Sequence, residues 1–342
     1  FSSFVSGFNN RDVANVNLYS VSGLTAGNTY YYRVRAYNSL TSTNSAVITN
    51  TLPATATVAI VDIPASGAST SMNWTATEGA SYDIYYSDSD PSGSMTWQLV
   101  ASGVNASANP MTYPVAEDDK RYYRVVIAGA NPTTALSPIW GVIKPTIPSG
   151  FSMQSVPLDI SDRTMSGELG NALKAVLSNG DRVYAMEANG SFTTITLSGG
   201  TWDTAYTFAE GQGFFVQSAS GATPRFAGPV GNDGSATRTI NPGASPTSGR
   251  WNILGLSQGK TLSFSSAFAT GNFTGTPTAD WDETVSDLVV IDQGNGNWKR
   301  VMRTGSSTWL DLDTFSTPSV NLTPGSAVYY FHYGNSALSI NF

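Results

Sequence analysis

Hydrophobic and polar positions alternate with a period of two over several short stretches of the chain. The clearest is Thr29–Tyr37, which puts Tyr30, Tyr32, Val34 and Ala36 on one face and Tyr31, Arg33, Arg35 and Tyr37 on the other. Successive side chains of extended backbone point to opposite sides, so this is the pattern of a half-buried strand. Ala46–Leu52 reads as a further strand ended by Pro53. Thr57–Ile63, Ser69–Thr77, Ser81–Ser87, Met95–Ala101 and Arg121–Ala128 continue the series. Within Ser81–Ser87, Tyr82, Ile84 and Tyr86 oppose Asp83 and Tyr85. Helical spacing is confined to two short runs, Leu169/Leu173/Val176/Leu177 and Leu262–Ala269.

The second half of the chain repeats itself. Phe151–Leu158 lines up with Trp251–Leu256, and each is followed by one of the short helical runs. Asp181–Met186 then matches Asp287–Ile291, and Asn189-Gly-Ser-Phe192 matches Asn295-Gly-Asn-Trp298. Asn-Gly between strand-like runs is a strong hairpin signal. Trp202 matches Trp309, and Ala209–Val216 matches Thr323–Tyr330. Landmarks in one order point to duplication, with the Gly/Pro/Ser/Thr-rich stretch 228–249 as the connector. The expected fold class is all-β: tandem β-sandwich domains followed by two repeated β-rich modules with short helices. The expected segments are 1–53, 54–145, 146–240 and 241–342, strung like beads.

Leu24, Gly27, Tyr30, Tyr32, Arg33, Val34, Ala36 and Asn38 follow the Leu–x–Pro–Gly–Thr–x–Tyr corner and Tyr–Arg–Val–x–Ala strand of another family, with Ala26 where that family prefers Pro. On these residues segment 1–53 resembles the C-terminal part of a fibronectin type III domain. The resemblance implies missing strands, because a whole sandwich needs about 100 residues. Either an upstream segment completes 1–53, or a neighbouring subunit donates strands and builds a filament. Donation would set the face of Tyr30, Tyr32 and Val34 against another chain. Segment 54–145 resembles a complete, divergent copy, with Trp74 as its core tryptophan. Aligning Tyr123-Arg124-Val125 with Tyr32-Arg33-Val34 puts Arg121 opposite Tyr30, so the tyrosine corner is expected to be lost there. Residues 140–342 resemble a paired C-terminal region of large secreted or surface proteins of bacteria.

Composition narrows the function. Charged residues are 12% of the chain, about half the usual share, so there is too little charge to solvate long helices. The net charge is −7, with 17 basic residues scattered along the sequence, which argues against a nucleic-acid partner. No apolar run approaches the roughly 18 residues of a membrane span. The chain lacks an initial Met and a signal-peptide pattern, and so reads as processed or truncated. With no cysteine and one histidine, thiolate nucleophiles and transition-metal sites built on Cys or several His are excluded. Low charge and absent thiols fit an extracellular or cell-surface location.

Candidate chemistry is thin. His332, in Tyr329–Tyr333, reads as a strand histidine with a local hydrogen bond. Calcium is the one cofactor left open, since it takes clustered oxygen ligands. The best candidates are Asp88 and Asp90, in Asp88-Ser-Asp90-Pro-Ser92-Gly93. The other acidic clusters are 117–119 and Asp280, Asp282, Glu283 and Asp287. Tyr31, Tyr37, Tyr85 and Trp97 lie outside the expected core faces and could stack on sugar rings, although aromatic pairs also stabilise sheets of any function. Two readings follow. The first is a non-catalytic extracellular structural or adhesive protein that self-assembles through β-strand contacts. The second is a carbohydrate-binding accessory region of a larger secreted enzyme, with a polysaccharide as partner.

Overall fold

A computed structural model describes all residues except 1–3, 15, 17–18, 20, 22–23, 25–27, 38–41, 52–57, 67–68, 92–93, 134, 136, 232–236, 257–258, 270–272, 275–281, 295 and 305–307. The chain is all-β, with 45% of residues in strands and 4% in helices, of which the described residues hold two short ones. It divides into two compact units, Phe1–Thr57 and Val58–Phe342.

In the first unit, β1 (Thr29–Tyr32) pairs with β4 (Ile48–Thr51), and β2 (Arg35–Tyr37) pairs with β3 (Ser42–Asn44). The expected continuous strand Thr29–Tyr37 is therefore broken at Arg33–Val34. The register explains the break: Tyr32 faces Ile48 but Arg35 faces Asn44, so the returning strand carries one extra residue. Such a bulge re-phases the alternation. Val34 donates its amide to Ser45 Oγ (3.1 Å) and its carbonyl accepts from the Ser45 amide (2.8 Å). Tyr30 and Tyr32 are half-buried as the alternation requires, but Val34 sits outside the strands and is 65% exposed.

The second unit begins with a sandwich. Its strands are β5 (Ile60–Asp62), β6 (Ala65–Ser66), β7 (Ser69–Trp74), β8 (Ser81–Ser87), β9 (Gln98–Asn105), β10 (Met111–Val115), β11 (Lys120–Ile127) and β12 (Trp140–Ile143). One sheet has the order β10-β7-β5, with β6 also on β7; the other runs β12-β11-β8-β9. Trp74, Tyr82, Ile84, Tyr123 and Val125 share the core between them. The Trp74 and Tyr82 rings meet edge-on at 6.1 Å. The expected loss of the tyrosine corner does not hold: the Tyr123 hydroxyl donates back to the Ala116 carbonyl, seven residues upstream. The tyrosine two positions after Arg121 thus makes the tie, and Arg121 Nη1 donates to the same carbonyl (3.3 Å). Asp83 is buried and accepts from the amides of Gly103 (2.9 Å) and Gly129 (2.8 Å). Burial alone would raise its carboxyl; these amides and the Ser102 hydroxyl outweigh it and hold the group below the usual range.

Module 1 comprises β13 (Gly150–Gln154), α1 (Glu168–Lys174), β14 (Arg182–Met186), β15 (Phe192–Ser198), β16 (Thr201–Trp202) and β17 (Phe214–Ser218). Its sheet has the order β13-β17-β14-β15-β16. Glu168 opens α1 and Lys174 closes it, each complementing the helix dipole, while Leu169 and Leu173 are buried. The next strand, β18 (Phe226–Pro229), leaves the module and pairs with β12, extending the sandwich sheet. The stretch expected to be a plain connector holds β19 (Thr237–Ile240).

Module 2 comprises β20 (Gly249–Gly255), β21 (Leu262–Ser263), α2 (Phe264–Ala267), β22 (Phe273–Thr274), β23 (Leu288–Asp292), β24 (Trp298–Arg303), β25 (Trp309–Asp311), β26 (Asn321–Leu322), β27 (Ala327–Tyr333) and β28 (Leu338–Asn341). Ser263 caps α2 by accepting from the Ser266 amide (3.1 Å). The main sheet has the order β20-β27-β23-β24-β25, that of module 1, and β19 and β22 flank β28 in a separate sheet. The register matches too: Phe151 opposes Gln217 as Trp251 opposes Phe331, and Leu197 opposes Trp202 as Arg303 opposes Trp309. Both indoles donate to a carbonyl of their module's helix region, Trp202 to Gly170 (2.9 Å) and Trp309 to Phe268 (3.0 Å).

The bead-like arrangement does not occur within Val58–Phe342. The core of module 1 takes in Tyr122 and Ile143 from the back of the sandwich sheet, and the Tyr122 hydroxyl donates to the Gly259 carbonyl. Arg225 reaches Glu117 and the Ile63 carbonyl (2.7 Å).

Candidate functional site

The register equivalence makes the contact between the modules reciprocal. Gln154 bridges Ser326, and the equivalent Leu254 bridges Gln212. The Ser155 amide donates to Gly325 O (2.7 Å) and the equivalent Gly255 amide to Gly211 O (2.8 Å). One patch on each module thus binds its counterpart, the isologous geometry of a two-fold dimer inside a single chain. Met153, Phe215, Ile253 and Ala327 are its buried centre, with Tyr184, Met186 and Tyr329 packed around them. Phe215 meets Tyr329 edge-on at 5.5 Å, Phe151 stacks on Phe215 at 4.8 Å and Trp251 on Tyr329 at 4.2 Å. The aromatic seam surfaces at its ends, where Phe151 is 43% exposed and Phe192 42%. The Tyr184 hydroxyl, beside Phe151, donates to Gln217 Oε1 (2.8 Å).

Each module also holds one buried carboxylate at the same place. Asp181 accepts from the Ala219 amide (2.9 Å), the Ser178 amide (2.9 Å) and the Ser218 hydroxyl (3.2 Å). Asp287 accepts from the Tyr333 amide (2.8 Å) and the Tyr330 hydroxyl (2.9 Å), and faces His332 Nδ1 at 3.0 Å. His332 Nε2 faces the Ser336 carbonyl at 2.9 Å. Both ring nitrogens meet acceptors, so the imidazolium satisfies both. Burial would lower its pKa, but Asp287 and the Ser336 carbonyl outweigh this and raise it. With both nitrogens occupied and the ring buried, His332 is a clamp rather than a general base.

A groove of about 800 Å³ opens between β5, β18 and α1, lined by Val61, Ile63, Pro64, Trp140, Ala172 and Val176 among others. Burial pushes the Glu168 carboxyl at its wall upward.

The residues singled out in the sequence fall elsewhere. Asp88 pairs with Arg121 (2.7 and 3.1 Å). Asp90 accepts from the Thr261 amide (2.9 Å) and hydroxyl (2.7 Å) and lies 3.4 Å from Lys120. Both carboxylates of the calcium candidate thus face protein donors, and Asp90 latches the sandwich to module 2. Glu117 holds Arg225 and Lys144. In the third acidic group Asp280 lies outside the described residues, Asp282 caps its own turn at Thr284 and Asp287 is the clamp. Among the described residues no three His, Cys, Asp or Glu side chains are grouped to hold a metal. Tyr31 (57% exposed) and Tyr37 (63%) belong to the first unit, and Tyr37 donates to Asp12 (2.6 Å). Tyr85 and Trp97 are half-buried on the sandwich, with Arg124 over Trp97 at 5.5 Å. The four make no common platform within either unit. The sequence expectations do not include the seam, although the repeat alignment carries its signal by setting Phe151 against Trp251, Phe192 against Trp298 and Phe215 against Tyr329.

No protein-family model, curated protein or solved structure matches this chain.

Proposed function

We propose that this chain is a non-catalytic structural or adhesive part of an extracellular or cell-surface assembly, built through contacts between copies. One observation carries the reading: the buried carboxylates and the lone histidine are bound up in holding strands together. Asp83, Asp181, Asp287 and His332 have hydrogen-bond partners within their own sheets or turns. The resemblance of the sandwich to a fibronectin type III domain is supported by its two-sheet strand order and by the Tyr123 tie. Sedimentation of the purified chain over a range of concentrations tests the proposal: species larger than one chain are expected, and a single monomeric species throughout refutes it. A second reading, sugar binding, is favoured by the exposed rings of Phe151 and Phe192 beside the Tyr184–Gln217 pair. Retardation in polysaccharide gels that is lost in Phe151→Ala would support it.

A further inference from the structure

The groove lies where both sheets of the sandwich end. β5 is the last strand of one sheet and β18 the last strand of the other, and residues 61–64 and 227–229 line the same opening. An end strand carries backbone groups that its own sheet does not pair, and an extended segment can take them up. The α1 region closes the groove with Glu168, Asn171, Ala172, Ala175 and Val176, whose spacing of three and four sets them on one side. The charge of the lining is one-sided: Asp62, Asp159 and Glu168 stand against Arg225 alone. Arg225 is held by Glu117, and Asp159 pairs with Arg163 (2.5 Å). Asp62 accepts from Asn73 Nδ2 (2.5 Å). Among the described residues neither Asp62 nor Glu168 has an ion-pair partner. Burial raises the Glu168 carboxyl and the backbone amides of Asp162 and Ser161 offset this only in part, as for a carboxylate short of counter-charge. Beside the charges the wall is apolar and open, with Val61 50% exposed, Val176 37% and Trp140 half-buried.

We propose that this groove takes an extended, basic segment of a partner protein, with Lys or Arg side chains toward Glu168 and Asp62 and apolar side chains on Val61, Trp140 and Val176. The inference rests on the adhesive side of the reading above and not on assembly between copies. Charge complementarity selects the occupant. A net charge of −7 draws a basic segment in and repels a second copy of this chain. A volume of about 800 Å³ falls within the roughly 300–1,000 Å³ of sites that enclose a drug-sized ligand, the bulk of a few residues. A small free cation would neutralise the carboxylates but leave the apolar wall in water, and so fits less of the groove. Of the two unpaired carboxylates, Glu168 is half-buried and Asp62 exposed. A charge contact at Glu168 is therefore the less screened and contributes more.

The test measures fluorescence anisotropy of a labelled Lys-Val-Lys-Val-Lys peptide and of its Glu-Val-Glu-Val-Glu counterpart, titrated with the full chain. Wild type is compared with Glu168→Gln, Val176→Arg and Glu78→Gln, with thermal melting as a check on folding. Glu78 is exposed and does not line the groove, so its variant removes the same unit of charge elsewhere. The basic peptide should bind and the acidic one should not. Glu168→Gln and Val176→Arg should each weaken binding about 10-fold, and Glu78→Gln should leave it unchanged. Absence of binding, or equal binding of the two peptides, overturns the proposal. An equal loss in Glu78→Gln would mean attraction by net charge alone and overturns it too. Displacement of the basic peptide by an equal concentration of spermidine would assign the groove to a small cation, with the same result. Sedimentation separates this inference from self-assembly. A monomeric wild type that binds the basic peptide upholds the groove and ends the self-assembly reading, whereas a wild type that assembles without binding it ends the groove proposal alone.

Discussion

Modules 1 and 2 are built on one frame with two different interiors. Strand order, register, the helix-facing indole and the buried aspartate are common to both. Around that aspartate, three neighbouring positions change together. Leu197, Val216 and Ser218 of module 1 correspond to Arg303, Tyr330 and His332 of module 2. All six are essentially buried. Arg303 lies over the Trp309 ring at 5.4 Å, and Tyr330 and His332 both reach Asp287. The frame thus asks for a carboxylate that ties the start of β14 or β23 to the end of β17 or β27. It accepts either a hydroxyl or a charged network as the partner. The network also raises the stakes, since a buried charge that loses its partner costs more than a hydroxyl that loses one.

That difference sets the largest expected effect. Asp287→Ala should destabilise the second unit by about 3–5 kcal/mol, because it strands His332 and Arg303. Asp181→Ala should cost about 1–3 kcal/mol, the loss of hydrogen bonds to neutral groups. Chemical denaturation measures both, and equal costs would dissolve the distinction. The indoles test the shared part. Trp202→Ala and Trp309→Ala should each cost about 3 kcal/mol, at the low end for large aromatics because both are half-buried. A wide gap between them would break the equivalence of the frames. The seam offers a smaller effect with a sign. Gly213 stands where module 2 has Ala327, and a Cβ on it would lie 2.4 Å from Ile253 Cγ2 and 2.8 Å from the Ala327 Cβ. Gly213→Ala should cost about 1–3 kcal/mol by overpacking. The double change Gly213→Ala/Ala327→Gly, which exchanges the two sides, should recover part of that loss.

Much of this was legible in the residue pattern, for local reasons. The expected strand Ser81–Ser87 has the observed bounds, because Tyr82, Asp83 and Ile84 carry an unbroken alternation. The all-β class and the short helices followed from the lack of charge and the scarcity of helical spacing. The losses are long-range. Nothing near Phe226–Pro229 says that this strand pairs with Trp140–Ile143 rather than with its own module. The bulge that displaces Val34 depends on Ser45 across the hairpin. Asp88 and Asp90 have turn-like and calcium-like spacing, but their partners, Arg121 and Thr261, come from distant strands and loops. The repeat set the seam aromatics in register, yet alternation alone cannot say that two outer faces will cover each other.

The smallest effect separates the interiors by pH. The raised pKa of His332 means that its contribution to stability is fully present below the unfolded value of about 6.5 and is lost as pH rises through the folded value. His332 is the chain's single histidine, so no second imidazole titrates in that window. The groups around it are Asp287, which pairs with Nδ1, and the Tyr330 hydroxyl, whose pKa burial and Asp287 hold well above the usual tyrosine range. Arg303, beside Asp287 and Tyr330, remains charged across the window, and Arg250 lies opposite His332 on β20. Stability should therefore fall modestly from slightly acid to mildly alkaline pH. The control is His332→Ser, which installs the module 1 solution at the module 2 site. It should be less stable than the wild type below pH 6 and should lose the slope between neutral and mildly alkaline pH. Melting temperatures of both proteins across that range decide the matter: parallel curves would mean that the imidazolium is not what distinguishes the two interiors.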